Sequence, residues 1–440
     1  MKDYFFDLAD FAISKLTGTE VLLLKFEGEV SDFVRFNHGR VRQPLSVRQQ
    51  HLALTLIDKQ RQQRMSFALS GNKTEDCTLL LQQLNTIRAR IPSIPIDPYL
   101  LYATACCHTD QIRRGVLPTI EQAIGDIVDQ AMGLDLVGIL SSGPVYRGFA
   151  NSLGQRNWHE VDSFLFDWSI YHVADKAIKM SYSGTHWDRS QISQRIDTAR
   201  EQLPYLAKEA MTIAPGEYPA YLSPVAVDEL LSLLNWGGFS AKEQHTQQSV
   251  LQALINKAQS LSPAITLREN TLLGLAPAFD SVGFVRPDVI TLIDAGQHAD
   301  SLISPRTAQE YGLQTNGANE SETMQSLELL PGNLDRATIM HHLEEGIYVS
   351  NLHYLNFSDR AACRMTGLTR FATFWVKQGK IVAPLNVMRF DDSLYRMLGD
   401  HLVGLTSDSE WMLSSDTYGQ RSVRSSHVPG ALLSKLRLTL

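Results

Sequence analysis

Apolar residues near the N-terminus recur at intervals of three and four, as Phe5, Phe6, Leu8, Ala9, Phe11, Ala12 and Leu16. That spacing puts them on one face of an amphipathic helix over residues 3–17. Short apolar runs at 21–26, 33–36, 40–47 and 52–57 follow and read as strands, with Asn37-His38-Gly39 as a hairpin turn. Leu79, Leu80, Leu84 and Ile87 mark a second helix over about 74–90, which Pro92, Pro95 and Pro98 end in an extended loop.

Ile120, Ala123, Ile124, Ile127, Val128 and Ala131 share a face and predict a helix over 119–132. Residues 134–172 return to strand character, with turns expected at Ser141-Ser142-Gly143-Pro144 and around Gly154. A polar helix over 189–211, a hinge at Pro215-Gly216, a helix at 224–235 and many short strands from Ser281 to Leu440 complete the pattern. The fold class is therefore α+β: an N-terminal sheet-and-helix domain over 1–212, then a larger strand-rich domain over 213–440. No internal repeat or low-complexity segment interrupts it.

Composition narrows the partners. The chain has 440 residues, 44% hydrophobic and 20% charged, which suits a soluble globular protein with substantial cores. Forty Lys and Arg against 47 Asp and Glu leave a net charge of −7, so neither nucleic acid nor an anionic membrane is an expected partner. Asp3, Asp7 and Asp10 in the first helix exclude a signal peptide, and no apolar run nears the ~18 residues of a membrane span. Four cysteines without a CxxC pair favour a reducing, cytoplasmic setting.

Several chemistries are absent as motifs: no GxxxxGK[ST] phosphate cradle, no GxSxG elbow and no HExxH zinc helix. His341-His342-Leu343-Glu344-Glu345 could align a histidine and a carboxylate on one helix face over 337–345. Gly346 follows as a C-cap would, which favours a helix-dipole role over metal binding. His245, in Glu243-Gln244-His245, reads as solvent-facing, and Cys106 and Cys107, beside His108, as buried small hydrophobes. The densest polar run lies in the C-terminal third, where Asn356, Asp359, Arg360, Arg364 and Arg370 stand among strand formers. They suit a peptide-binding groove or an internal ion-pair network, as do Arg389, Asp391 and Asp392.

Longer blocks carry a resemblance. They are Arg35-Phe36-Asn37-His38-Gly39-Arg40-Val41-Arg42-Gln43, Pro277-Ala278-Phe279-Asp280-Ser281-Val282-Gly283-Phe284, Ser304-Pro305-Arg306-Thr307-Ala308, Gly346-Ile347-Tyr348-Val349 and Phe374-Trp375-Val376-Lys377-Gln378-Gly379-Lys380-Ile381. Together these resemble the TldD/PmbA family, also called modulators of DNA gyrase and grouped with the metallopeptidases; Lys377 stands where the family usually has an acidic residue. The resemblance implies a two-domain α+β fold and a dimer of related subunits around a chamber for unfolded or peptide substrates. It also implies that a TldD-like subunit holds the metal through HExxxH and a cysteine near the C-terminus. Here the first motif would fall at about Val227-Asp228-Glu229-Leu230-Leu231-Ser232-Leu233, where only Asp228 and Glu229 could ligate, and no cysteine occurs within 425–430.

Both absences point to the PmbA-like branch, so no cofactor is expected in this chain and zinc only in a partner subunit. The function implied is a metalloprotease-related subunit that handles peptides or unfolded polypeptide beside a TldD-like homologue or itself. The alternative is a non-enzymatic dimeric scaffold that binds an extended chain by strand addition. Trp236, Phe239, Phe374 and Trp375 are the aromatic positions expected to anchor a dimer.

Overall fold

The structure, a computed structural model, describes residues 1–173 and 176–439. Its N-terminal sheet consists of β1 (Val21–Asn37), β2 (Arg40–Asp58), β3 (Arg61–Ala68), β4 (Thr109–Arg113), β5 (Asp135–Asn151), β6 (Arg156–Tyr171) and β7 (Ala177–Gly184). The order is β3-β2-β1-β5-β6-β4, antiparallel except for β4 on β6, with β7 paired to the other end of β6. The hairpin between β1 and β2 turns at His38 and Gly39, with φ of +50° and +66°. Two positive φ values in a two-residue loop match the twist of paired strands, and glycine takes the second at no steric cost.

Alternation along these long strands assigns their faces. Leu22, Leu24 and Phe26 of β1 pack on α1 (Lys2–Ile13) and α2 (Lys73–Arg90) through Phe5, Leu8, Leu80 and Leu84. Further along the same face, Val34, Phe36, Phe164 and Phe166 pack on α3 (Ile120–Gln130) and α4 (Arg189–Leu206). The capping box Thr119/Gln122 starts α3 as its sequence anticipates. The opposite face looks toward the C-terminal half.

That half is built on β8 (Gly216–Leu222), β9 (Leu267–Asn270), β10 (Val289–Asp294), β11 (Gln297–His298), β12 (Ser326–Leu329), β13 (Gly346–Asp359), β14 (Arg364–Lys377), β15 (Lys380–Pro384), β16 (Arg389–Ser393), β17 (Leu402–Leu413) and β18 (Ser425–Leu438). Strand β18 pairs with β16 and also with β8, so β18-β16-β14-β13-β8 closes on itself. Closure removes free edges and encloses the core of Leu222, Leu230, Ile347, Met365, Phe390 and Leu433. Ala226, Val227, Leu230 and Leu231 bring α5 (Pro224–Ser232), continued by a 3-10 turn, Leu233–Asn235, into the same core. The α+β expectation holds. Leu440, the expected end of the last strand, lies outside the described residues.

Two local expectations fail for a single reason. Runs 21–26 and 33–36 are one strand, β1, and Ser141-Ser142-Gly143-Pro144 is no turn but the middle of β5. The ladder between them keeps its register from Leu23↔Asn151 to Phe36↔Gly138. Polar and small residues interrupt both strands because Arg421, from the segment between β17 and β18, is inserted there. Its guanidinium donates to the Gly143 carbonyl (2.9 Å), the Ser31 hydroxyl (3.2 Å) and the carbonyl and hydroxyl of Ser163 (both 2.8 Å). Buried Glu29 accepts from the Arg421 amide (3.3 Å), and Arg147 donates to the Arg421 carbonyl (3.1 Å). At Gly143, φ is +132° and a Cβ would stand 2.2 Å from the Val30 carbonyl oxygen, so the close passage of β1 requires glycine.

Other boundaries move less. The helix expected over 189–211 ends at Leu206, since the Met211 amide donates to the Pro384 carbonyl and the chain there follows β15. Gly346 is not a C-cap: the short helix Ile339–Leu343 ends at Glu344 with φ +52°, and Gly346 opens β13. Burial pushes the Arg421 guanidinium down to about 10, against the opposing pull of Glu29, so it remains charged at neutral pH. Arg421→Ala would strand the Gly143 and Ser163 carbonyls and take a buried counter-charge away from Glu29. It should lower unfolding stability by about 3–5 kcal/mol, read as a fall in the urea midpoint.

Candidate functional site between the two sheets

Helix α5 begins where Ser223 caps it, accepting from the Ala226 amide (3.2 Å) while its own hydroxyl donates to the Ser350 carbonyl (2.6 Å). The second bond ties the helix start to β13. Ala226, Val227, Leu230 and Leu231 turn inward, which leaves Asp228 and Glu229 facing the seam between the two sheets. Consecutive helical residues project about 100° apart, so the two carboxyls diverge. Glu229 accepts from the Leu352 amide (2.5 Å) and the Asn351 side chain and lies within the field of Lys179. Asp228 faces the other way, to the Ser426 hydroxyl and Arg424.

Burial pushes Glu229 up to about 7, against the downward pull of the Leu352 amide and Lys179. Asp228 is likewise raised, chiefly by burial, with Ser426 and Arg424 opposing. A carboxyl poised near neutrality can give or take a proton under ordinary conditions. It is also a common mark of a site.

A trough of about 710 Å³ runs along the uncovered face of the N-terminal sheet. Phe33, Leu45, Val47, Ile139 and Leu165 line it, with Leu45 54% and Ile139 52% exposed. Lys179 and Asp167, 3.5 Å apart, stand in its wall, and burial raises Asp167. Phe371 of β14 closes one side; its φ of +61° is one that bulky residues rarely adopt. Strain of this kind tends to collect at functional surfaces.

Beside Asp228, a second cleft of about 60 Å³ is bounded by Ser232, Asn235, Ser414, Arg424 and Ser426. The helix segment and the 425–430 segment, which the family resemblance marks for metal ligands, therefore do meet in space. What meets is one carboxyl, hydroxyls, an amide and a guanidinium. Zinc sites are built from convergent imidazole, thiolate and carboxylate ligands, and this donor set, with a fixed cation beside it, does not fit that ion. Among the described residues no three His, Cys, Asp or Glu side chains converge as a metal site.

The other expected chemistry is dispersed. His341 and His342 are exposed on their short helix, and His245 stacks on Tyr311 with ring centroids 4.6 Å apart. Cys106 and Cys107 are exposed rather than buried, because β4 starts only at Thr109 and both cysteines sit in the loop before it. Asn356, Asp359, Arg360 and Arg364 cluster at the tip of the β13–β14 hairpin, and Arg370 lies back along β14 beside Phe371. The first three are exposed and form no buried network. Arg360 donates to the Trp236 carbonyl (3.1 Å), and Arg364 pairs with Asp391 (3.3 Å). Asp392 is fully buried with Arg396 (2.9 Å), while Arg389 donates to Thr366 (3.0 Å). Of the four aromatic anchors, Phe239 and Phe374 belong to the core, Trp375 packs on Tyr218, and Trp236 is 51% exposed.

Apart from Arg35 and Gln43, the two ends of the first block of the family resemblance, the trough residues carry no motif. Their one signal in the sequence is that β5 is apolar on both faces, at Leu136 and Leu140 and also at Val137 and Ile139, where a sheet open to water on one side would alternate.

Residues 215–440 match the family model described as the PmbA/TldA metallopeptidase C-terminal domain. The chain belongs to the TldD/PmbA family, which is metallopeptidase-related. Among solved structures it is similar over 99% of its length to all of TldE from Thermococcus kodakarensis (13% identity, TM-score 0.79). It is also similar over 99% of both chains to a candidate modulator of a DNA gyrase from Thermotoga maritima (13% identity, TM-score 0.76). A third, from Bacteroides thetaiotaomicron and of the same description, aligns with 100% of this chain and 98% of its own (16% identity, TM-score 0.75). At these identities the likeness is one of fold. No curated protein matches the sequence significantly.

Two measurements test the site. Because the folded-state pKa of Glu229 lies above its ordinary 4.5, its contribution to stability is full below that value and is lost as pH rises through about 7. Glu229→Gln, which cannot ionise, should therefore gain roughly 2 kcal/mol on the parent between pH 5 and 8 in urea titrations, part of the full shift being screened at the solvent edge. Arg360→Ala and Arg370→Ala, both outside buried networks, should keep unfolding stability within about 0.5 kcal/mol of the parent.

Proposed function

We propose that this chain is the peptide-handling, metal-free subunit of a metalloprotease-related assembly. It holds an extended or unfolded polypeptide in the trough, and hydrolysis belongs to a TldD-like homologous subunit that pairs with it. The observation that carries this reading is the apolar-walled trough of about 710 Å³ on the free face of the N-terminal sheet, with Lys179, whose charge also reaches Glu229, in its wall. Apolar walls with a few charged groups at one end suit a polypeptide backbone with uncharged side chains. Arg370, beside Phe371, extends the rim, and the hairpin tip with Asn356, Asp359, Arg360 and Arg364 offers a second contact for the same chain.

The donor set around Asp228 supports placing the zinc in the partner. On this reading residues 1–212 and 213–440 act as two units with the site at their seam, in the cytoplasm. Nucleic acid and membrane are not partners of a chain carrying −7. Exposed Trp236, packed edge-on against Phe357 at 6.2 Å, supplies an aromatic patch for pairing.

Metal analysis and light scattering on the purified chain test the proposal together. After dialysis the chain should hold well below one zinc, and with a TldD-like homologue it should run at about twice its 49.2 kDa and support zinc-dependent cleavage of an unfolded polypeptide. A full, tightly held equivalent of zinc in the chain alone would overturn the assignment. Peptide binding and dimer formation without any cleavage in the mixture would favour the non-enzymatic scaffold.

A further inference from the structure

We infer that Arg35 pairs with an acidic side chain of the polypeptide held in the trough, so that the site selects extended segments whose apolar face is interrupted by an aspartate or glutamate. The inference rests on the peptide-handling reading above and deepens it. Four charged side chains line the trough: Glu29, Arg35, Asp167 and Lys179. Three of them are already matched. Asp167 and Lys179 stand 3.5 Å apart, and buried Glu29 accepts from the Ser31 hydroxyl (2.9 Å), the Arg421 amide (3.3 Å) and the Gln49 side chain. Arg35 is exposed, and its guanidinium has no hydrogen-bond or ion-pair partner among the described residues. The trough therefore offers a polypeptide one open charge, and that charge is positive.

Strand pairing fixes where the charge sits. Arg35 of β1 is paired with Gln43 of β2 on one side and with Ile139 of β5 on the other, and Ile139 is paired in turn with Asp167 of β6. Directly paired residues project from the same face of a sheet, so these four form one row across the trough floor. The next row along the strands is Leu45, Phe33, Ser141 and Leu165, with Val47 beyond it. An open cation thus borders an apolar floor. Beside such a floor it meets fewer competing waters than in bulk, and its guanidinium fork matches the two oxygens of a carboxylate.

Position makes the partner a side chain. The trough does not stop at the Arg35 row: its lining continues to Glu29 and Gln49 in one direction and to Ser169 and Tyr171 in the other. At about 3.3 Å per residue these lie roughly 20 Å and 13 Å from that row. A chain lying along the strands therefore runs on beyond Arg35 on both sides. Its side chains return to one face every second residue, the same step that separates Arg35 from Phe33. An acid opposite Arg35 then sets the residues two and four positions along over Phe33, Leu45 and Val47, where apolar side chains fit.

The test uses the full chain and short fluorescein-labelled peptides with amidated C-termini, in which leucine or valine alternates with serine. One central apolar position is replaced by glutamate, glutamine or lysine. Fluorescence anisotropy should show the glutamate peptide binding about fivefold more tightly than the glutamine peptide, the scale of one solvent-accessible ion pair, with the lysine peptide weakest. Moving the glutamate one place along, into a serine position, turns it away from Arg35 and should bring no gain over the unsubstituted peptide. Arg35→Gln should remove the preference for glutamate, and Arg35→Glu should reverse it toward lysine. Both variants should melt like the parent, because the Arg35 side chain is exposed and unbonded. Equal binding of the glutamate and glutamine peptides by the parent, or a preference that survives Arg35→Gln, overturns the inference and leaves the peptide-handling reading intact. An equal gain from the displaced glutamate would show attraction without placement and overturn the assignment to this row. Failure of every peptide to bind overturns both readings.

Discussion

The insertion of Arg421 between β1, β5 and β6 is the contact on which the arrangement of the two halves depends. A guanidinium carries five donors, and here they satisfy carbonyls and hydroxyls from Ser31, Gly143 and Ser163 on three neighbouring strands. A buried cation of this kind is tolerable only with its donors filled and a compensating charge near, which Glu29 provides. The same plug explains why the strands are polar at their centres. Apolar residues there would pack a helix but could not receive an arginine.

Docked in this way, the C-terminal half covers only part of the free face of the N-terminal sheet. The remainder is the trough, and the start of α5 is tied to β13 by the bond from Ser223. Burial then differentiates two adjacent acids. Glu229 faces Leu352, Asn351 and the field of Lys179, Asp228 the hydroxyl-lined cleft with Arg424, and each feels a different set of charges because a helix turns about 100° per residue. Family membership and geometry meet at this point: the two segments expected to hold metal ligands do come together, and what they bring is one carboxyl, hydroxyls and a guanidinium instead of a zinc ligand set.

Much of the N-terminal half is legible in its sequence. The Asn37-His38-Gly39 turn, the helices over 74–90 and 119–132 and the turn around Gly154 follow from local periodicity and turn chemistry, which operate over a few residues. Helix α5 is legible too, since Ser223-Pro224 is a cap followed by a proline at the first helical position. Readings fail where a distant group answers a local irregularity. The gap after Phe26, the apparent turn at Gly143 and the supposed C-cap at Gly346 all look like breaks until Arg421 or the β8 ladder supplies the missing partner. Cys106 and Cys107 look apolar in isolation and are exposed because the chain has not yet entered β4.

The sequence by itself determined the α+β class, the family and the absence of histidine and cysteine at the two expected ligand segments, because composition, periodicity and motif are properties of neighbouring residues. Tertiary structure alone decided that burial raises Asp228 and pushes Glu229 up to about 7, and where the trough runs. Those properties depend on burial and on groups that lie far apart along the chain: Lys179 beside Glu229, Arg424 beside Asp228, Phe371 across from Ile139. Desolvation and Coulomb terms act through space, and no local pattern encodes the distance between residues 179 and 229.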